Sequence, residues 1–175
     1  GGSLADLMAP GNLLPIEDVV SILEQVCQAL DEAHKVGLIH RDLQPDNVML
    51  NPRINGVYEV KLVDFGLAYF MEMEGQERLT AAGIAMGTPC YMSPEQARGK
   101  TLDPRTDIYA LGVMLYEMLC GSLPFLSKNV TKLMMQHIFD QAPRPSERNS
   151  QIEISPALEE LALAALSKRP DNRPE

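Results

Sequence analysis

Apolar residues in the first part of the chain return at three- and four-residue intervals. Val19, Val20, Leu23, Val26, Leu30 and Ala33 follow one stripe at helical spacing. Pro15, Glu17 and Asp18 open that helix, because proline suits a first turn and acids suit its positive end, and Gly37 is placed to close it. Pro10-Gly11-Asn12 is a break before it. From Leu38 to Val63 the period changes: Val48 to Leu50 and Glu59 to Val63 predict two short strands, with Asn55-Gly56 as a turn signal between them. A polar, glycine-containing loop follows from Met71 to Gly87. Thr106 to Cys120 is strongly apolar and free of proline, which predicts a helix buried on most sides. Lys132 to Phe139 predicts a shorter helix and Pro143 to Asn149 a loop. Ser155-Pro156 caps a last helix from Ala157 to Ser167, with Glu159 and Glu160 near its start. The expected fold is mainly α (α+β), a helical body carrying a small two-stranded β-hairpin.

The 175 residues, 45% hydrophobic and 22% charged, have ordinary globular composition and suffice for one domain or a large piece of one. A net charge of -9 argues against a nucleic-acid or anionic-membrane surface, because phosphate backbones are bound by clustered Lys and Arg. A single nucleotide stays allowed, since it needs only a local site and a cation. Cys27, Cys90 and Cys120 are far apart and odd in number, with no C-x-x-C or Cys/His ligand pair, so they read as free thiols in a reducing compartment. The longest apolar stretch, Ile108 to Tyr116, falls short of the ~18 residues of a membrane span, and no basic-then-apolar leader opens the chain. The segment is therefore expected to be soluble and cytoplasmic, without membrane contact of its own; a parent protein could carry an anchor elsewhere.

Four elements stand in order: His40-Arg41-Asp42-Leu43-Gln44-Pro45-Asp46-Asn47, Asp64-Phe65-Gly66, Ser93-Pro94-Glu95, and Asp107-x-Tyr109-x-x-Gly112. Together they closely resemble the protein kinase family, whose phosphoryl transfer works by positioning and by neutralising dispersed negative charge. Gly87-Thr88-Pro89-x-Tyr91-Met92-Ser93-Pro94-Glu95-Gln96 looks most like the bacterial serine/threonine branch. The resemblance covers nearly the whole chain and implies the C-terminal lobe of a kinase domain. Residues 1–37 would be the hinge end and first helices, 38–50 the catalytic loop, 59–95 the metal-binding and activation segment, and 96–175 a helical subdomain.

By that resemblance, Asp42 orients the substrate hydroxyl and accepts its proton, while Asn47 and Asp64 bind Mg²⁺ (or Mn²⁺) on ATP, a hard cation that prefers oxygen ligands. A strand-loop-strand arrangement would bring Asn47 and Asp64 to neighbouring strand ends. Met49 matches the residue that floors the adenine, and Ser3, just beyond the hinge, could touch the ribose. His40 and Phe65 resemble members of the stacked core linking the lobes. Asp107 resembles the acid that holds the catalytic-loop backbone, and a carboxylate in so apolar a helix needs a partner in any case. Glu95 and Arg173 match a family ion pair under the substrate-binding segment. Thr88 favours Ser/Thr over Tyr as the acceptor. Arg41 implies control by loop phosphorylation, with Thr80 the candidate switch and an ordinary loop threonine the alternative.

Two departures stand out. Gln44 occupies a position where serine/threonine kinases usually carry Lys, so a hydrogen-bond donor is kept and a charge is lost. Nothing in the 175 residues matches the glycine-rich phosphate loop, the front-lobe Lys or its Glu partner, so the N-lobe is expected to be missing and the segment alone to turn over negligibly. The leading expectation is an ATP-dependent protein serine/threonine kinase acting on protein substrates. A pseudokinase-like docking module and a small-molecule phosphotransferase are the alternatives. The second fits badly, because Asp64-Phe65-Gly66 followed by a long loop and Ser93-Pro94-Glu95 is a protein-substrate apparatus.

Overall fold

Val19, Ile22, Val26, Leu30 and Ala33 form the buried stripe of a helix whose other faces meet solvent. In the computed structural model, which describes residues 1–9, 12–52, 56–65, 88–149 and 153–175, that helix is α2 (Ile16–Lys35), preceded by a short α1 (Leu4–Leu7). Val20, expected within the stripe, lies off it and is partly exposed. Gly37 adopts a left-handed φ of 78° just past the helix. Its N–H donates to the His34 carbonyl at 2.9 Å and that of Leu38 reaches back to Ala33 at 2.9 Å, so the chain turns sharply toward residue 40.

The predicted hairpin is part of a larger sheet. Strands β2 (Val48–Pro52) and β3 (Tyr58–Leu62) pair antiparallel, and β1 (Gly2–Ser3) adds to the other side of β2, giving the order β1-β2-β3. Two residues before a helix carry no periodicity, so this strand exists only through its partner. Val48 and Leu50 point into the core, and Met49 alternates to the opposite face. The amide of Gln25 on α2 accepts from Val60 N at 3.1 Å and donates to Tyr58 O at 2.9 Å, covering the free edge of β3. Of the predicted Asn55-Gly56 turn, Asn55 lies outside the described residues, while Gly56 has a positive φ of 79°.

The body of the molecule is helical: α3 (Pro94–Ala97), α4 (Arg105–Cys120), α5 (Val130–Phe139), α6 (Pro145–Arg148) and α7 (Pro156–Ala165). As expected, α4 is buried nearly throughout, and the main core joins its Ala110, Met114 and Met118 to the α2 stripe, Val48 and Leu50. A Cβ on Gly112 would come within 2.6 Å of Ala165 Cβ, so glycine there permits close packing of α4 on α7. Where Pro143 to Asn149 reads as a loop, one helical turn forms, with the Glu147 carboxylate accepting from Arg144 N at 3.3 Å. Ser155 precedes α7 but its hydroxyl makes no capping bond; Pro156 in the first turn supplies the helical start instead. Among the described residues, no helix is long and apolar enough to cross a membrane.

His137 is fully buried between Tyr109 and Phe125, its Nδ1 hydrogen-bonded to the Tyr109 hydroxyl at 2.9 Å. Burial, reinforced by the Lys168 ammonium, lowers its pKa from 6.5 to about 3. The unfolded imidazole therefore binds a proton that the native one refuses, so stability falls as pH drops from 6.5 toward about 3. The expected loss from His137 is about 2 kcal/mol at about pH 5. The drop in urea midpoint between neutrality and about pH 5, measured on the whole protein, should narrow when His137→Gln removes this titrating ring.

Candidate active site

The segment between α2 and β2 is pinned from the core by one buried side chain. Asp107, in the first turn of α4, is wholly inaccessible. Its Oδ2 accepts from His40 N at 2.8 Å and faces His34 Nε2 at 2.8 Å, and its Oδ1 accepts from Arg41 N at 2.9 Å. Arg41 has a φ of 68°, a left-handed conformation that costs a residue with a Cβ about 1–2 kcal/mol. Two backbone N–H groups converging on one carboxylate hold that conformation. The peptide bend directly precedes Asp42.

Asp42 is half-buried. Burial pushes its carboxyl above the ordinary carboxylate range and the Asp64 and Asp46 charges add to this, while the hydrogen bond from Asn47 and the charge of His40 oppose it. The Asn47 Nδ2 donates to Asp42 O at 2.7 Å and lies 3.3 Å from Asp42 Oδ2, leaving its Oδ1 as the remaining acceptor. Asn47 closes a 3-10 turn (Pro45–Asn47) leading into β2, and its backbone carbonyl accepts from Val63 N at 3.0 Å. Since Val48 pairs with Leu62, this bond extends the ladder and brings the exposed Asp64, with φ of 59°, beside Asn47. The expected neighbouring strand ends are thus present. His40 Nε2 donates to Val63 O at 3.0 Å and its ring stands 4.5 Å from that of Phe65, with burial lowering the imidazole pKa.

A model of the protein kinase domain matches residues 1–175. The chain belongs to the protein kinase family. Relatives include the serine/threonine-protein kinases pkn3 and Pkn1 of Myxococcus xanthus, 48% and 43% identical over 89% and 93% of this chain. Serine/threonine-protein kinase PknB of Mycolicibacterium smegmatis is 37% identical over 99% of it. These matches cover 29%, 23% and 27% of the relatives, so the chain spans less than a third of their lengths.

The other kinase-motif residues sit on both sides of this centre. Glu95, on α3, receives two parallel bonds from the Arg173 guanidinium, at 2.6 and 2.8 Å, and a third from the Thr106 hydroxyl at 3.0 Å. Burial alone would push the Glu95 carboxyl up, but Arg173 and Thr106 hold it below the usual value. Arg173 also donates to the Ser167 and Arg105 carbonyls, tying this segment to the residues just past α7 and to the start of α4. Gln44 Nε2 approaches the Asp42 carboxylate at 3.4 and 3.5 Å, long for hydrogen bonds. Met49 and Ser3 are cross-strand partners, half-buried together at the β1–β2 edge. The Ser3 hydroxyl, expected near a ribose, accepts from Asp6 N at 3.2 Å while Asp6 accepts from Ser3 N at 2.8 Å, so it serves as the N-cap of α1. Thr88 opens a 3-10 turn (Thr88–Cys90), and Thr80 lies outside the described residues.

Three contacts at this site are absent from the motif reading. His34 meets Asp107, although near a helix end it reads simply as a dipole partner. The Tyr91 hydroxyl donates to Glu117, and burial followed by the Glu117 charge raises the tyrosine pKa. Gln96 Nε2 donates to Arg41 O at 2.6 Å. Ser93-x-x-Gln96 is legible as a capping box but nothing local announces the Arg41 contact. A small hollow beside Asp42 is lined by Arg41, Leu43, Tyr91, Met92 and Gln96 as well.

No group of three or more His, Cys, Asp or Glu side chains among the described residues could hold a metal ion. Asn47 Oδ1 and the Asp64 carboxylate are two oxygen donors at adjoining strand ends. That donor set fits Mg²⁺, which keeps water and phosphate oxygens in its shell rather than needing an all-protein cage.

Proposed function

We propose that the chain is the C-terminal lobe, with the hinge end, of a cytoplasmic protein serine/threonine kinase that transfers the γ-phosphoryl of ATP to protein hydroxyls. What supports the reading is the Asn47–Asp42 hydrogen bond together with the Val63–Asn47 backbone bond, which sets Asp64 one residue from the partner of Asn47. Asp42 receives the acceptor hydroxyl, orients its oxygen toward the γ-phosphorus and takes its proton as the new P–O bond forms and the bond to ADP breaks. Burial holds its pKa above the ordinary carboxylate range, which makes it a better proton acceptor than an exposed aspartate. Asn47 and Asp64 would hold Mg²⁺, whose charge offsets that of the phosphates. Asn47 additionally holds the Asp42 backbone, so metal site and base move as one unit.

Met49 would floor the adenine, and Ser3 would lie at the ribose edge while capping α1. His40 and Phe65 would stack toward the front lobe. Glu95 and Arg173 would brace the peptide-binding segment, with Thr88 favouring Ser/Thr acceptors and Arg41 reading phosphorylation at Thr80. The front lobe is the implied partner, since residues 1–175 contain no glycine-rich phosphate loop and alone are expected to bind ATP poorly.

The test is transfer of labelled γ-phosphate to a serine/threonine protein by the complete kinase, abolished by chelating the divalent cation. An unlabelled product with Mg²⁺ present would instead favour a docking module. Restoring the charge at position 44 gives a second measurement. Gln44→Lys is expected to raise kcat about ten- to a hundredfold, the worth of one charge-assisted bond felt at the transition state. An unchanged kcat would mean that the phosphates are neutralised without a cation at that position.

A further inference from the structure

We propose that Gln96 is a positioning residue for the phosphotransfer assigned above, an inference that rests on that reading. Arg41 is held by side chains on both of its backbone groups. Asp107 accepts its N–H at 2.9 Å, and the Gln96 amide donates to its carbonyl at 2.6 Å. The two side chains come from different elements, the buried helix α4 and the short α3. The peptide they grip bends through a left-handed φ of 68° immediately before Asp42.

The orientation of the Gln96 amide follows from its neighbours. Its Oε1 accepts from Ser93 N at 2.9 Å, and a backbone N–H can only donate, so Nε2 is the atom presented to the Arg41 carbonyl. The Gln96 N–H in turn donates to Ser93 Oγ at 3.2 Å, and Ser93 is fully buried. The preceding residue, Glu95, is anchored twice by Arg173. An unbroken series of bonds thus runs from Arg173 through Glu95 and Gln96 to the peptide before Asp42. Gln96 and Asp42 also line the same hollow. The side chain therefore sets the distance between the proton acceptor and the segment that presents the acceptor hydroxyl.

Gln96→Glu in the complete kinase separates this role from helix capping. The carboxylate keeps the acceptor for Ser93 N–H but, when ionised, cannot donate to Arg41 O. The expected result is an unchanged thermal midpoint, an unchanged KM for ATP and a kcat lowered about tenfold. The variant-to-wild-type kcat ratio should climb toward one as pH is lowered, because a protonated carboxyl regains the donor. Gln96→Met should show the same kcat loss without that recovery, and it supplies the kcat-against-KM split should the glutamate variant not fold. Full kcat for Gln96→Glu, or a loss flat with pH and matched by a lowered thermal midpoint, overturns the inference and leaves the kinase reading intact. A wild-type enzyme that transfers no phosphoryl group overturns both.

Discussion

Asp42→Asn in the complete kinase is expected to lower kcat by about 10²–10⁴, the usual worth of a positioned general base, with KM for ATP little changed. Asparagine is nearly isosteric and still offers an oxygen to Asn47 Nδ2, which lies 3.3 Å from Asp42 Oδ2. What it loses is the ability to take a proton and the negative charge that orients a hydroxyl. The Asn47 bond to the residue 42 carbonyl, 2.7 Å long, involves the backbone and survives the change. A fall in kcat alone, with an unaltered thermal midpoint, would locate the defect in the transition state. Wild-type kcat in the variant would mean that Asp42 only supports the loop, and the role proposed for it would be withdrawn.

The largest expected effect on stability comes from Asp107→Ala. Three donors converge on this carboxylate, from His34, His40 and Arg41, all within 2.9 Å. Truncation strands the two backbone N–H groups away from water and removes what holds Arg41 in its left-handed conformation. Breaking a buried charged cluster from one side costs about 3–5 kcal/mol. The urea midpoint should fall accordingly, and residual activity should fall further than the fraction unfolded explains, because the bend before Asp42 relaxes. A loss below about 1 kcal/mol would show that the loop holds its shape by other contacts.

Much of the helical body is written locally. The α2 stripe, the Gly37 stop and the apolar run of α4 each predict an element within a few residues of its observed bounds, because helix periodicity and caps are properties of neighbouring residues. Strands β2 and β3 are legible for the same reason. Strand β1 is not, since Gly2 and Ser3 become a strand only by pairing with Leu50 and Met49. The turn at Pro145–Arg148 was obscured by its prolines and polar residues, which favour a loop until Glu147 turns back on Arg144. Ser155 shows the converse: a residue suited to capping that makes no cap.

The candidate site divides in the same way. Family likeness, read from the order of the motifs, singles out Asp42, Asn47, Asp64, Glu95, Asp107 and Arg173 as candidates; of these only Asp107 is also legible from chemistry, since a carboxylate in so apolar a helix needs a partner. The pairings of Arg173 with Glu95 and of Asp107 with the loop amides follow from family likeness alone, because such distant partners leave no local periodicity. Only the folded chain decides that Gln96 grips Arg41 and that His34 shares Asp107. A hydrogen bond is directional and fails over a few tenths of an ångström, so its partner is settled by where helices and strands finally pack, not by the residues beside it in the chain.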